Sequence, residues 1–214
     1  MTMPTLDDLI VDLSQGLQPV RPISPMGGQI LVGVLALSTL IATGAWWGMR
    51  DDVLAATPAP ITALSIGLFF LLAVAGGWSL TRMAQPRVGM SNNGWRWAVA
   101  AVAVLPSIAL FLAIQSPVDR VFMTWEGGIG CLLRGLGASL LVAVGLTFWL
   151  RRGAPMRINV SAWLIGLVAG AVGAIAVALT CPDDALTHIG IWHAAVVGAT
   201  AVVGRLSLPR LLRW

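Results

Sequence analysis

Six long apolar stretches, roughly Gly28 to Met49, Pro60 to Leu80, Trp97 to Ile114, Cys131 to Leu150, Val160 to Thr180 and Ile189 to Leu206, alternate along the chain with short polar connections. Each is close to the ~20 residues that carry a helix across a bilayer. The pattern predicts an all-α integral membrane protein, a six-helix transmembrane bundle. Ahead of the first stretch the spacing changes. Leu6, Leu9, Ile10, Leu13 and Leu17 recur on one helical face, and Thr5 followed by Asp8 reads as a weak capping box. A short amphipathic helix is predicted over residues 5 to 17. Gly16 and the run Pro19-Val20-Arg21-Pro22-Ile23-Ser24-Pro25 then stop it and form a stiff arm to the first span. The chain therefore divides into a tail, residues 1–26, and a bundle, residues 27–214.

Composition agrees with this reading. A chain of 57% hydrophobic and 10% charged residues with mean hydropathy +0.87 is far from a soluble domain. Charge then gives the bundle a direction, because loops rich in arginine or lysine stay in the cytoplasm. There is no lysine. With the N-terminus inside, the inner side receives Arg21, Arg82, Arg87, Arg96, Arg151, Arg152, Arg157, Arg205, Arg210 and Arg213, and the outer side keeps only Arg50, Arg120 and Arg134. Both termini are expected in the cytoplasm. The first stretch follows an acidic tail and has no cleavage-type ending, so it is expected to stay as an anchor. The pI near 10.9 comes from juxtamembrane arginines, which suit anionic lipid; no direct nucleic-acid partner is expected.

The tail helix carries Asp7, Asp8 and Asp12 on its polar face and no positive charge, whereas a helix lying on anionic lipid should be basic. A protein with a basic, apolar groove would suit it, and so would folding back on the bundle. Within the spans, Gly166, Gly170, Ala174 and Ala178 form a four-spaced stripe of small residues, and Ala194 and Gly198 begin a similar one in the last span, a pattern that lets helices approach closely. Pro106 is expected to kink the third span.

Cys131 and Cys181 are the only cysteines, and the topology places both at the outer rim, one opening the fourth span and one closing the fifth. An antiparallel hairpin of those spans would bring them near each other. A disulfide requires Cα atoms roughly 5.5 Å apart. Arg134, three residues after Cys131, would favour a thiolate or snorkel to headgroups. Around Cys181, the run Cys-Pro-Asp-Asp with His188 and His193 offers further ligands, as does Glu126 in the facing loop, and thiolate with imidazole suits a soft or borderline metal. The spacing matches no familiar metal motif, and two histidines five apart would not share one face of a regular helix. Structural thiols, a thiol switch or disulfide, and metal ligation at Cys131 and Cys181 all remain open at this level.

The acidic leucine-rich tail ending in Leu17-Gln18-Pro19-Val20-Arg21-Pro22, six spans, Cys131-Leu132-Leu133-Arg134-Gly135, Cys181-Pro182 and Trp192-His193 together resemble the NrsF-type membrane anti-sigma factors. That resemblance implies a bacterial inner-membrane protein that holds an extracytoplasmic-function sigma factor of the sigma-F kind. It implies sigma binding by the segment from Leu6 to Pro22, namely Leu6, Asp7, Asp8, Leu9, Ile10, Asp12, Leu13, Leu17, Pro19, Val20, Arg21 and Pro22. It further implies sensing of oxidative or heavy-metal stress by Cys131 and Cys181; from their position and chemistry beside the thiols, Arg134, His188 and His193 are the candidate modulators. No cofactor and no enzymatic activity are expected. Two other classes compete. A membrane thiol oxidoreductase would carry paired cysteines of the Cys-x-x-Cys kind, which are absent here. A small metal-related transporter would line a path with intramembrane polar groups, and the spans offer few.

Overall fold

The computed structural model describes residues 5–15, 23–85, 93–115, 125–153, 155 and 157–212, without the side chains of Trp125 and Glu126. Among these residues the secondary structure is helical. The tail holds α1 (Leu6–Ser14). Five spans follow: α2 (Pro25–Trp47), α4 (Pro60–Met83), α5 (Gly94–Gln115), α6 (Trp125–Leu150) and α7 (Ile158–Ala178), with a single turn, α3 (Asp51–Leu54), between the first two. The sixth span, α8 (Leu186–Leu212), is composite: an α turn at Leu186–His188, a π turn at Ile189–His193, and an α segment Ala194–Leu212. Six helices are thus long and apolar enough to cross a membrane.

α7 is the centre of the bundle. Its most apolar stretch is 89% buried, against 11% for that of α2, as expected where a helix hydrophobic on all sides is wrapped by its neighbours. Small residues make that possible. A methyl group on Gly166 would strike the Thr200 carbonyl and Ala201 Cα; one on Gly170 would strike Thr200 Oγ1 and Val197 Cα; one on Gly173 would strike the Gly135 carbonyl. The small-residue stripe expected on α7 is therefore an interface, but its complement on α8 is not the expected pair. Gly198 faces open space, and α8 meets α7 through Val197, Thr200, Ala201 and Gly204. Pro106 lies inside α5, which continues through it to Gln115.

At the end of the bundle that carries the tail, the residues leading into α2 dock on the other spans. Gly28 lies so close to Trp149 of α6 and Thr81 of α4 that no side chain would fit there. Gln29 Nε2 donates to Thr81 Oγ1 at 2.7 Å, and Gln85 Nε2 donates to the Ile23 carbonyl at 3.3 Å. At the far end of α2, Gly48 adopts φ +81°, a left-handed conformation that suits glycine and turns the chain toward Arg50.

Candidate functional site

α6 and α7 pack as the expected hairpin, and this brings the cysteines together. Cys131, buried near the start of α6, donates from Sγ to Cys181 Sγ at 3.3 Å. With Val177 they form a small buried cluster of their own, apart from the main core. Both are free thiols.

The histidines join them through the irregular start of α8. Residues five apart in an α-helix are rotated by about 140° from one another, which is why His188 and His193 were not expected on a common face. The π turn over Ile189–His193 removes that obstacle: the two rings meet edge to face with centroids 5.4 Å apart. Gly190 lets this turn seat against α5, because a methyl there would meet Ala109 and the Leu105 carbonyl. Gly128 of α6 likewise makes room for the indole of Trp192. His188 Nε2 lies 3.6 Å from Cys181 Sγ. One ligand atom from each of Cys131, Cys181, His188 and His193 falls within 4.8 Å of the other three, and all four residues are buried.

Asp183 and Asp184 have separate roles. Asp183 Oδ2 lies 3.4 Å from His188 Nδ1, and its Oδ1 accepts from the Ala185 N–H at 2.8 Å. Asp184 turns the other way. It receives Arg50 Nη1 at 2.7 Å, Arg50 Nη2 at 2.8 Å and Thr62 Oγ1 at 2.6 Å. Arg50 also holds Asp52 through Nε at 2.8 Å and Nη2 at 2.6 Å, and donates from Nη1 to the Cys181 carbonyl at 2.8 Å. The Arg50 guanidinium keeps the Asp184 and Asp52 carboxyls below the usual carboxylate range, and those carboxylates raise Arg50 in turn. At Cys181, the donated Cys131 thiol and the neighbouring His188 ring lower the pKa and favour thiolate.

Arg134, expected as a modulator of the thiols, is exposed and lays its guanidinium over the Trp47 ring, 5.8 Å from its centroid. Arg50 and Thr62 have no site role in the sequence reading, whereas Asp183 is among the possible ligands offered by the Cys-Pro-Asp-Asp run. Arg50 carried one available signal: it is one of only three arginines on the side that the charge bias leaves poor in them. The side chain of Glu126 lies outside the described residues.

In the tail, Thr5 and Asp8 form a reciprocal cap, with Asp8 N–H donating to Thr5 Oγ1 at 3.3 Å and Thr5 N–H to Asp8 Oδ2 at 3.0 Å. Thr5 is the first cause holding the Asp8 carboxyl below its ordinary value. Every residue of α1 is exposed, including Leu6, Leu9, Ile10 and Leu13. Asp7, Asp8 and Asp12 lie on the same short helix. Leu17, Pro19, Val20, Arg21 and Pro22 lie outside the described residues.

A six-span helical membrane protein with a buried cysteine and histidine cluster at one end of the bundle, and an exposed amphipathic helix ahead of its first span, is the class these features define. The chain belongs to the NrsF family, negative regulators of sigma F, whose family model matches residues 13–214. It is similar to the probable anti-sigma-F factor NrsF of Azospira oryzae, at 28% identity over 216 residues that span 97% of this chain and 99% of that protein. No solved structure matches. Family membership makes the chain a regulator acting on a sigma factor.

Proposed function

We propose that this protein is an inner-membrane anti-sigma factor that holds an extracytoplasmic-function sigma factor with its cytoplasmic tail and releases it when thiol chemistry occurs at Cys131 and Cys181. The observation that carries the first half is α1: a capped helix whose apolar face, Leu6, Leu9, Ile10 and Leu13, is fully displayed beside an acidic face. Such a helix fits a basic-rimmed apolar groove on a partner. The binding segment continues through Leu17, Pro19, Val20, Arg21 and Pro22. A helix this short is marginal alone in water, so it gains order on the sigma factor. The role is regulatory, not catalytic.

The second half is supported by the sulfur separation of 3.3 Å in a buried pocket. Two changes are open to such a pair. A peroxide or disulfide oxidant can take two electrons as both thiols lose their protons and an S–S bond forms, which requires the sulfurs to close to about 2.05 Å. Alternatively, a soft metal ion can displace both protons. The first draws α6 toward the loop after α7, and the second spreads the sulfurs to the wider edge of a metal site, so either one shifts α6 against that loop. α6 is one rigid element from Cys131 to Trp149, and Trp149 packs on Gly28 at the root of the tail. The bundle, residues 27–214, is thus the sensor, and residues 1–26 the effector. To act as a switch, the two thiol states must give the tail different affinities for its partner.

The test is capture. The full-length protein in mild detergent should retain a sigma factor of the sigma-F kind from the native cell extract, and Leu9→Asp with Leu13→Asp should abolish retention. Retention that ignores both substitutions would remove the tail from the role.

A further inference from the structure

We infer that Cys131, Cys181, His188 and His193 are the four ligands of a tetrahedral site for a soft or borderline divalent cation of the zinc and cadmium class, with Asp183 as the carboxylate that orients His188. The regulatory meaning of this site rests on the sensing role proposed for the thiols, whereas the ligand set stands on geometry.

A tetrahedral centre with metal–sulfur bonds of about 2.3 Å and metal–nitrogen bonds of about 2.0 Å has ligand–ligand edges of about 3.3 to 3.8 Å. Here Cys181 Sγ lies 3.6 Å from His188 Nε2, at the sulfur–nitrogen edge, and the sulfurs, 3.3 Å apart, need to open by about 0.5 Å to reach the sulfur–sulfur edge. With all four atoms inside 4.8 Å, ordinary rotamer adjustments suffice to close them on one ion. His193 supplies a second, independent observation. It is 1% exposed, and neither ring nitrogen has a hydrogen-bond partner. A buried imidazole in that state costs free energy unless something else uses its lone pair. The ring stands against His188 in the cluster.

The surroundings add what a metal site needs. Ligating histidines characteristically give their other ring nitrogen to a carboxylate or carbonyl, and His188 presents Nδ1 to Asp183 while Nε2 faces the sulfur. Asp183 is itself fixed by the Ala185 N–H. Charge balances as well. On binding, each thiol loses its proton to water, the ion sheds its water ligands, and two thiolates, two neutral imidazoles and a dication sum to zero, which is the arrangement a buried site tolerates best. The π turn that aligns the histidines is an uncommon helical feature, and such turns concentrate at functional sites. A depression of about 390 Å³ lies beside Cys181, lined by Arg50, Asp51, Asp52, Thr180 and Pro182 among others. Four protein ligands leave no open position for catalysis, so the site is structural or sensory.

The experiment is titration of the reduced full-length protein in mild detergent with Co²⁺, read by absorption. One Co²⁺ per chain is expected, with a thiolate-to-cobalt charge-transfer band and the strong visible bands of tetrahedral cobalt. His193→Gln should remove the tetrahedral bands. Asp183→Asn, at a half-buried position that leaves all four ligands in place, should weaken binding by roughly tenfold or more with unchanged circular dichroism. Absence of the charge-transfer band from protein with native helix content, or binding indifferent to both substitutions, would overturn the site. Stress-induced sigma release in cells, measured for Cys131→Ser, separates the two ideas. Four-ligand cobalt binding with normal release in Cys131→Ser keeps the site as a structural one and discards sensing. A missing cobalt band with release lost in Cys131→Ser discards the site and keeps the thiol switch.

Discussion

Arg50 Nη1 donates to the carbonyl oxygen of Cys181 at 2.8 Å across 131 residues of sequence, and the Arg50 backbone N–H donates to the Leu179 carbonyl at 3.1 Å. The first span therefore leaves the bundle directly onto the thiol site. Its other end carries the tail. α2 is thus tied to the thiols at its exit and, through Gly28 and Trp149, to α6 at its entry.

Arg50→Gln should loosen this junction. It removes ion pairs to Asp52 and Asp184 at a side chain only 9% exposed, while its partners are 29% and 38% exposed and so partly hydrated. The loss should be about 1 kcal/mol after allowing for that hydration. Thermal unfolding in detergent checks it, and an unchanged melting temperature would mean that the clamp is decorative.

The same clamp should be pH-sensitive. Asp52 and Asp184 have folded-state pKa values below their ordinary 3.8, with Arg50 the first cause for each. Lowered carboxylate values contribute stability that is fully present above the ordinary value and lost as pH falls through the folded one. The melting-temperature gap between wild type and Arg50→Gln should hold steady from about pH 7 to 5 and close only as pH falls below about 4.

Gly166→Ala and Gly170→Ala should each destabilise the bundle by about 1–3 kcal/mol, because the added methyl meets backbone atoms of α8 that cannot retreat. Gly198→Ala is the matched control. It faces open space, and there alanine is the better helix former by up to about 1 kcal/mol. Melting temperatures moving in opposite directions are expected.

Thr5→Ala breaks both halves of the α1 cap. The helix should lose about 0.5–2 kcal/mol of stability, and since the tail orders on binding, sigma affinity should fall by a factor of roughly 2 to 30. A binding isotherm with full-length protein measures it, and unchanged affinity would mean that the bound tail is not helical at its start.

Sequence pattern reached the spans, the tail helix and the cysteine pairing because each rests on local periodicity or on the hairpin of adjacent spans. It did not reach the π turn. Nothing in Ile189-Gly190-Ile191-Trp192-His193 distinguishes a five-residue turn from an α turn, since the choice is made by Gly190 against α5 and Trp192 against Gly128. For that reason the two histidines stand apart in sequence and meet in the fold. The Arg50 contacts were hidden differently, by a separation of more than 130 residues.

The most direct measurement is release. Wild-type and Cys131→Ser full-length proteins, each carrying bound sigma factor in mild detergent, would be treated with Cd²⁺ and separately with a peroxide, and free sigma factor counted. Release from wild type by at least one of the two, with Cys131→Ser retaining its sigma factor in both, is expected. Equal release from both proteins, or none from wild type under either treatment, would contradict a thiol-controlled hold on the sigma factor.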